Sequence, residues 1–488
     1  MSRGFIDGCE QERLHLSGAI QPFGVLLKVD RAGYITHASA NVHTVIGLGA
    51  DEAIGTHADS LDLPHGTPVQ PTDRRARRQA VTHRGITLSV LTIVAADGGM
   101  LLEMIPQAGS SVPAHAGSAV RSAHPPSSEA DIKADKQRLV DEIAERTGYA
   151  RTMYYQFHDD GHGEVIAEAR NGTAFGSYQG LHFPASDIPK IARALYLQNP
   201  WRMIPDATAA PVALLTRSTD PVDLTRSDLR SVSEVHLAYL ANMGVGAALS
   251  FPVAAGDTLA ALISCHHAGP RDPDIRVLDD IAALVDAHAL AVSSFRAGRR
   301  MRLIDGMGRR FRDIEALVAT TERVEDIWPV LGPRLMADFG ADGAVMCVGD
   351  TIHAVGHCLD DDTLGRVEQV SFDRGAVVWQ SDSLIRDVAD LMLTPVAGAA
   401  GVVIETSARQ RVRLWVSRAE HIDEVTWGGN PDKPLESDPV DKPISPRRSF
   451  EAWVERRIGY SRPWTSETEL LLRHLRVALR PLAQKAWR

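Results

Sequence analysis

Four groupings of side chains in this sequence have the types to do chemistry. Cys9 lies in a polar N-terminal arm, MSRGFIDGCEQE, ahead of any expected element, so its thiol is accessible and becomes a nucleophile once ionised. Taken alone, that description also fits an inert surface cysteine. His266 and His267 close the apolar run LISCHH, where side chains alternate, so one of the two faces the interior, as a core histidine or as a ligand contact. His353, His357 and Cys358 carry metal-ligating atoms, but no second ligand pair stands at zinc-site spacing and no metal site is expected. Cys9, His266 and Asp187 supply the residue types of a cysteine hydrolase, yet nothing near them reads as a nucleophile elbow or oxyanion loop.

These residues need a scaffold, and the chain is long enough to build a large one. At 488 residues it has the length of about three domains. A hydrophobic content of 44% with 23% charged residues is that of folded globular protein. The formal charge of −10 disfavours nucleic acid and anionic membrane as partners. No run reaches the roughly 18 apolar residues of a membrane span, and the N-terminus lacks a signal peptide's apolar core, so a cytoplasmic location is expected. Cys9, Cys265, Cys347 and Cys358 are too few for a disulfide framework in so long a chain.

GVLLKVD, AGYITHAS and GITLSVLTIVAADGGMLLEMIP alternate apolar and polar residues between turns, predicting an α+β domain with a small antiparallel sheet over about 1–110. A Ser/Ala/Gly/Pro-rich linker follows at 111–130. The next domain, 131–300, has a helix at 131–146, strands at Arg151 to Phe157 and Gly163 to Ala169, and a helix from PASDIP to about Leu197. Ser186 or Asp187 is expected to cap that helix, with Pro189 in its first turn. Residues 201–232, punctuated by Pro205, Pro211 and Pro221, form an irregular stretch of a length usually reserved for function or disorder. LSFPVAAGDTLAALISCHH reads as a hairpin. Leu284, Val285, His288, Val292 and Phe295, then Leu303, Met307, Ile314 and Val318, recur at helical spacing and predict one very long helix into a third α+β domain. Ser466 with Glu469 reads as a capping box before a terminal amphipathic helix.

From the residues alone the reading stops at a multidomain sensory or binding protein. GAIQPFG after an N-terminal cysteine, FPASDIPKIARALY, SEVHLAYLANMGV, LISCHH, WGGNP and PRRSFEAWVE, in that order and across essentially the whole chain, closely resemble the bacteriophytochrome family. The resemblance implies PAS, GAF and PHY domains at 1–110, 131–300 and 301–488, with a PHY hairpin or tongue at about 415–460. It implies a figure-of-eight knot in which the segment around Ile20 threads the 201–232 loop. It implies a red/far-red light receptor, not itself an enzyme, that carries biliverdin IXα and photoconverts between Pr and Pfr states.

By the same resemblance, Cys9 forms a thioether to the pigment's A-ring vinyl group. The GAF cysteine of plant and cyanobacterial relatives is replaced here by Val235, which points to biliverdin. Asp187 offers a backbone carbonyl to the pyrrole N–H groups, beside Ile188, and His236 shares a water with those rings. His266 stands near the D-ring carbonyl. Arg202 and Arg230 clamp the propionates, a task suited to planar guanidinium forks, with Tyr196 and Ser250 adding hydroxyls. Tyr155, Phe183 and Tyr239 form an aromatic wall. Trp427, Arg447, Ser449 and Trp453 belong to the tongue, where Arg447 is expected to pair with Asp187 in one state only.

Phe23, Ala248 and Trp453 stand where the family usually has histidine, a hydroxyl and tyrosine. A parallel homodimer through the long helix and the C-terminal helix is expected, with the output module or response-regulator partner absent from this chain or supplied in trans. Two competing readings are a GAF-type sensor of a diffusible ligand such as a cyclic nucleotide, and the sensory part of a light-regulated kinase or cyclase.

Overall fold

The computed structural model describes residues 12–64, 78–95, 97–107, 126–174, 176–322, 324–349, 351–373, 375, 377–405, 411–429 and 452–485. Cys9, Arg447 and Ser449 fall outside them. Two compact units divide the chain, Met1–Phe295 with Thr426–Trp453, and Arg296–Val425 with Val454–Arg488. The first unit begins with β1 (Ala19–Ile20), β2 (Val25–Val29), β3 (Ile35–Ser39), β4 (Gln79–His83), β5 (Ile86–Val94) and β6 (Met100–Pro106). Helix α1 (Glu129–Thr147) leads to β7 (Arg151–Phe157), β8 (Gly163–Arg170), β9 (His182–Phe183), α2 (Lys190–Tyr196), β10 (Arg202–Ile204) and β11 (Val212–Thr216). Then come α3 (Glu234–Asn242), β12 (Ala247–Ala255), β13 (Thr258–His267) and the long helix α4 (Ile275–Thr320).

The first sheet runs β1-β11-β3-β2-β6-β5-β4, and in the second β10-β12-β13-β7-β8-β9 are consecutive neighbours. Strand periodicity explains how they share a core. Val25, Leu27 and Val29 of β2 pack with Val42, Val45 and Met104 on one face. Leu26, between them, points the other way and joins Leu91, Ile105, Val140, Tyr154, Phe251, Ile263 and Leu278 in the largest cluster. Helix α1 supplies that cluster through Leu139, Val140 and Ile143. Ser128 caps its start by accepting from Asp131 N–H, and Gly148, in the left-handed region at φ 64°, ends it.

The irregular stretch at 201–232 acquires order by gripping the N-terminal arm. Ala19 and Ile20 pair with Ala213 and Val212 along one edge. On the other edge, Gln21 N–H donates to Leu229 O and Ser231 N–H to Ala19 O. One loop thus bonds both edges of the same segment, the threaded arrangement expected, and Gln21 Nε2 adds a bond to Met203 O at 3.0 Å. Beneath it, buried Glu103 accepts from Asp228 N–H at 3.1 Å, and Asp228 pairs with Arg78.

Two caps differ from expectation. The PASDIP segment makes a 3₁₀ turn, Ala185–Asp187, and α2 begins only at Lys190 after an extended Pro189 at ψ 157°. Proline excludes the residue before it from the helical region, so Ile188 breaks the helix and Asp187 is left uninvolved in capping. In the second unit, Thr465 and Thr468 exchange hydroxyl-to-amide bonds at the head of α7 (Ser466–Lys485), where the side chain of Ser466 lies outside those described. Glu469 pairs instead with Arg473, one turn on.

That second unit contains α5 (Val324–Phe339), β14 (Gly343–Val348), β15 (Thr351–Gly356), α6 (Asp361–Asp373), β16 (Val378–Ser381), β17 (Val396–Glu405) and β18 (Arg411–Ala419). Its sheet, ordered β15-β14-β18-β17-β16, packs one face on α5, α7 and the later part of α4, and the other on α6. Among the described residues no helix is long and apolar enough to cross a membrane. Ile20 is fully buried in the shared core of the first unit. Ile20→Ala is expected to cost about 2–5 kcal/mol, read from urea unfolding; a loss under about 0.5 kcal/mol would show that the threaded segment contributes little.

Candidate functional site

The face of the second sheet opposite the large core carries the candidate site, and strand register decides what it presents. Arg202 lies opposite Ser250, Ser250 opposite Ser264, and Ser264 opposite Met153. One step of two along, Ile204 lies opposite Ala248, Ala248 opposite His266, and His266 opposite Arg151. Residues i and i+2 share a face, so Arg202, Ser250, Ser264, His266, Arg151 and Met153 form one surface. Cys265 and His267 turn to the other, where Cys265 is in the large core and the His267 ring meets Tyr149. Of the two adjacent histidines, His266 is therefore the one on the site.

Around this surface gather two apolar groups. Met153, Tyr155, Val165, Leu181, Phe183 and Leu262 pack together with Ile188 and Tyr196 at their margin. Ile204, Leu240, Val245 and Ala248 pack with Leu237 on the other side, which gives Ala248 an apolar setting. The Tyr155 ring lies 6.0 Å from Phe183 and over Gly163, where a Cβ would stand 2.0 Å from the ring. Gly428 serves Phe183 in the same way, with a Cβ 2.5 Å from the ring. Trp427, its neighbour, pairs with His182 of β9.

Arg202 and Arg230 define the electrostatics. Arg202 donates to the carbonyls of Asp228 at 3.2 Å, Ser231 at 3.1 Å and Arg230. Arg230, itself buried, donates to Thr225 O at 3.1 Å and Leu224 O at 3.4 Å. Among the described residues no carboxylate forms an ion pair with either. Burial, and then the charge of Arg230, depress Arg202 to about 9; burial also lowers Arg230. An enclosed charge without a counter-charge is costly, and an anion beside this pair would lower that cost.

The histidines are tuned the other way. Burial, with a smaller push from Arg202, lowers His236 to about 4. Burial, then Arg151 and His236, lowers His266 to about 3, while Ser264 Oγ sits 3.2 Å from His266 Nε2. Both rings are surrounded by protein yet keep some accessible surface, as side chains lining an internal cleft do. His236 stacks on Tyr239 at 6.3 Å, and the Tyr239 hydroxyl donates to Asp187 Oδ2 at 3.0 Å. Asp187, free of helix capping, thus faces α3.

Register, packing and charge interactions bring Tyr155, Phe183, Asp187, Ile188, Tyr196, Arg202, Arg230, His236, Tyr239, Ser250 and His266 together on this side of the sheet. Trp453, on β20 (Ala452–Arg457, which follows β19, Asp423–Gly428), is half-buried. Phe23 packs at the edge of the large core. Sequence reading passed over Arg151, which pairs with Glu168 at 3.1 Å and stacks on Tyr178 at 3.7 Å, and Ser264. Their signal was position: each is one step of two from a named residue on the same strand or directly across the sheet.

A cleft on the second of two α+β domains that share a core, followed by a long helix into a third, defines a PAS–GAF–PHY sensory protein. The PAS fold family matches residues 9–84, the GAF domain family residues 137–288, and the phytochrome region family residues 312–487. The chain is 30% identical to a bacteriophytochrome of Pseudomonas aeruginosa, covering 95% of this chain and 65% of that one. It is also 30% identical to a bacteriophytochrome of Xanthomonas campestris pv. campestris, covering 98% and 79%. A bacteriophytochrome structure from R. palustris superposes with a TM-score of 0.81 at 26% identity, covering 98% of this chain and all of that one. The Stigmatella aurantiaca phytochrome photosensory core module does so at 0.81 and 28%, covering 98% of each. The chain belongs to the bacteriophytochrome family and is a photosensory module of the phytochrome light-receptor class. It spans about two thirds of the Pseudomonas relative's length, or 65%.

The histidine pKa directions set a pH dependence. Folded His236 and His266 stay neutral down to about 4 and about 3, whereas histidine ordinarily takes a proton near 6.5. Below pH 6.5 the unfolded chain therefore binds more protons, and stability falls as pH drops from 6.5 towards 4. The thermal midpoint is expected to fall more steeply over that range in the native chain than in His266→Gln; equal slopes would place the His266 ring in water.

Proposed function

We propose that this chain is a red/far-red light receptor that binds biliverdin IXα in the cleft described above, through a thioether to Cys9, and photoconverts between Pr and Pfr states. The observation that carries this reading is the pair Arg202, partly buried, and Arg230, buried, two guanidiniums without a carboxylate between them among the described residues. A linear tetrapyrrole bears two propionates and matches that charge. Tyr196 and Ser250 add hydroxyls beside the pair, and Tyr155, Phe183, Ile188 and Tyr239 wall an elongated, mostly apolar ligand. Neutral His236 and His266 offer one donor and one acceptor each. The backbone carbonyl of Asp187 accepts from pyrrole N–H groups in this reading.

Attachment at Cys9 is supported by the other cysteines and by chain geometry. Burial pushes Cys265 up to about 12 and Cys347 up to about 11, and raises Cys358, so these thiols keep their protons. Glu12 accepts from Ser233 Oγ at 2.9 Å, directly before α3. Cys9 lies three positions before Glu12, a reach of at most about 11 Å.

When bound, the pigment supplies the absorption and the isomerisation between its rings C and D. The protein's residues then convert a local change into a shift between two states. Asp187 and Tyr239 hold one hydrogen-bond arrangement, and Arg447, with Ser449, Trp427 and Trp453 on the tongue, favours Asp187 in one state only. A shift from 1:99 to 99:1 needs about 5.5 kcal/mol. Residues 1–110, 131–300 and 301–488 are taken as the three domains, with the tongue at about 415–460. A parallel homodimer is supported by exposed Leu290, Met301 and Ile304 on α4 and Val477 on α7. The output module or response regulator that receives the signal is a separate element of this proposal, as is a cytoplasmic location.

The buried cations would also take the phosphate of a diffusible cyclic nucleotide, so one experiment separates the two. Apoprotein incubated with biliverdin is expected to colour, to change its spectrum between red and far-red illumination, and to show the pigment's mass on the Cys9 peptide. Arg202→Ala and Arg230→Ala are each expected to weaken biliverdin binding about 10- to 100-fold, from about 1.5–3 kcal/mol per charged hydrogen bond. A colourless product, or affinity unchanged in both variants, defeats the reading. Arg447→Ala is expected to retain the pigment while altering the photoconverted spectrum and its dark recovery; identical traces would remove Arg447 from the switch.

A further inference from the structure

The β7–β8 hairpin closes on His158-Asp-Asp-Gly-His162, with Gly161 at φ 88° making the turn. His158 N–H donates to His162 O at 2.9 Å, which sets both side chains on one side, their rings stacked 4.3 Å apart at 5°. Glu164, two residues beyond the turn, lies opposite His182 across β8 and β9. The His182 ring comes within 5.2 Å of His162 and 5.9 Å of His158. One nitrogen from each of the three imidazoles lies within 4.8 Å of the other two. Two of the rings are also held from behind: His158 Nε2 meets Glu164 Oε2 at 3.1 Å, and His162 Nδ1 meets Asp160 Oδ1. A carboxylate on one ring nitrogen fixes the tautomer and makes the other nitrogen the basic one, which is how ligating histidines are oriented around a metal.

We propose that His158, His162 and His182 form a binding site for a first-row divalent transition metal ion of the Zn²⁺ or Ni²⁺ class, with Glu164 and Asp160 as the outer carboxylates. Imidazole donors favour these ions over Mg²⁺ or Ca²⁺. Bonds of about 2.0–2.1 Å put neighbouring nitrogens about 3.4 Å apart in a tetrahedral site, so the stacked pair must swing open by rotation of the side chains. His158 is 34% exposed and gives the ion its entrance, while His162, at 11%, forms the floor. Trp427 stands over the cluster, 5.7 Å from His162 and 5.8 Å from His182. The inference rests on the three imidazoles and does not depend on the pigment reading.

Titration of the untagged full chain, without tetrapyrrole, with Zn²⁺ and with Ni²⁺ in a calorimeter is expected to show one tight equivalent. His158→Gln, His162→Gln and His182→Gln should each weaken it at least tenfold, and His353→Gln in the other unit should leave it unchanged. Affinity held within twofold in the His158→Gln/His162→Gln double variant, or no tight equivalent in the native chain, overturns the proposal. X-ray absorption of the zinc-loaded native chain provides a check that needs no variant. Three imidazole nitrogens near 2.0 Å are expected, and fewer than two would refute the site.

Discussion

The structure depends most on two enclosed positive charges, Arg230 buried and Arg202 partly so, that form no ion pair among the described residues. Arg202, through Nη1 and Nη2, and Arg230, through Nη1, are tied to main-chain carbonyls at 3.1 to 3.4 Å, bonds that hold the guanidiniums in place without neutralising them. The cost of that arrangement is carried by the surrounding scaffold: the threaded arm, the loop at 201–232 and the edge strand β10. Arg202 holds the carbonyls of Asp228, Arg230 and Ser231, while Ala19 and Gln21 bond the same few residues from the other side. The cationic pair and the thread therefore stabilise one another.

The sheet makes such a site possible because its two faces do different work. One face, through Cys265, Ile263, Leu249 and Phe251, is closed by α1 and α4 into a dry core. The other keeps Ser250, Ser264, His266 and Arg202 in rows, with aromatic side chains at one end and aliphatic ones at the other. A ligand lying along such a surface meets charge, hydroxyl, imidazole and apolar wall in sequence. The neutral histidines follow from the same enclosure: burial beside Arg202 and Arg151 opposes a further positive charge.

Glycines mark where elements must approach closely. At Gly163 and Gly428 a side chain would intrude on Tyr155 and on Phe183. These two rings face each other at 6.0 Å, so the strand carrying Trp427 is seated directly against the aromatic end of the cleft. Any rearrangement of that strand changes the packing of Phe183, a short physical path from cleft to strand.

The sequence by itself determined the elements and the parts list. The runs RTMYYQF and GEVIAEAR were legible as strands whose limits match within a residue; the second buries every other side chain, as a local period-2 pattern requires, whereas the first, in mid-sheet, is buried on both faces. Ordered strings such as FPASDIPKIARALY and LISCHH carry Phe183, Asp187, Ile188, Tyr196 and His266, which the fold brings to one side of the sheet. Only the tertiary structure decided which of His266 and His267 enters it, since both alternatives satisfy the same pattern until register is set. It moved Asp187 from a helix cap to the Tyr239 hydroxyl, because Pro189 delays the helix. It also brought His158, His162 and His182 together. Two of those stand at the ends of one turn and the third comes from another strand, a proximity that linear spacing does not encode because cross-strand pairing creates it.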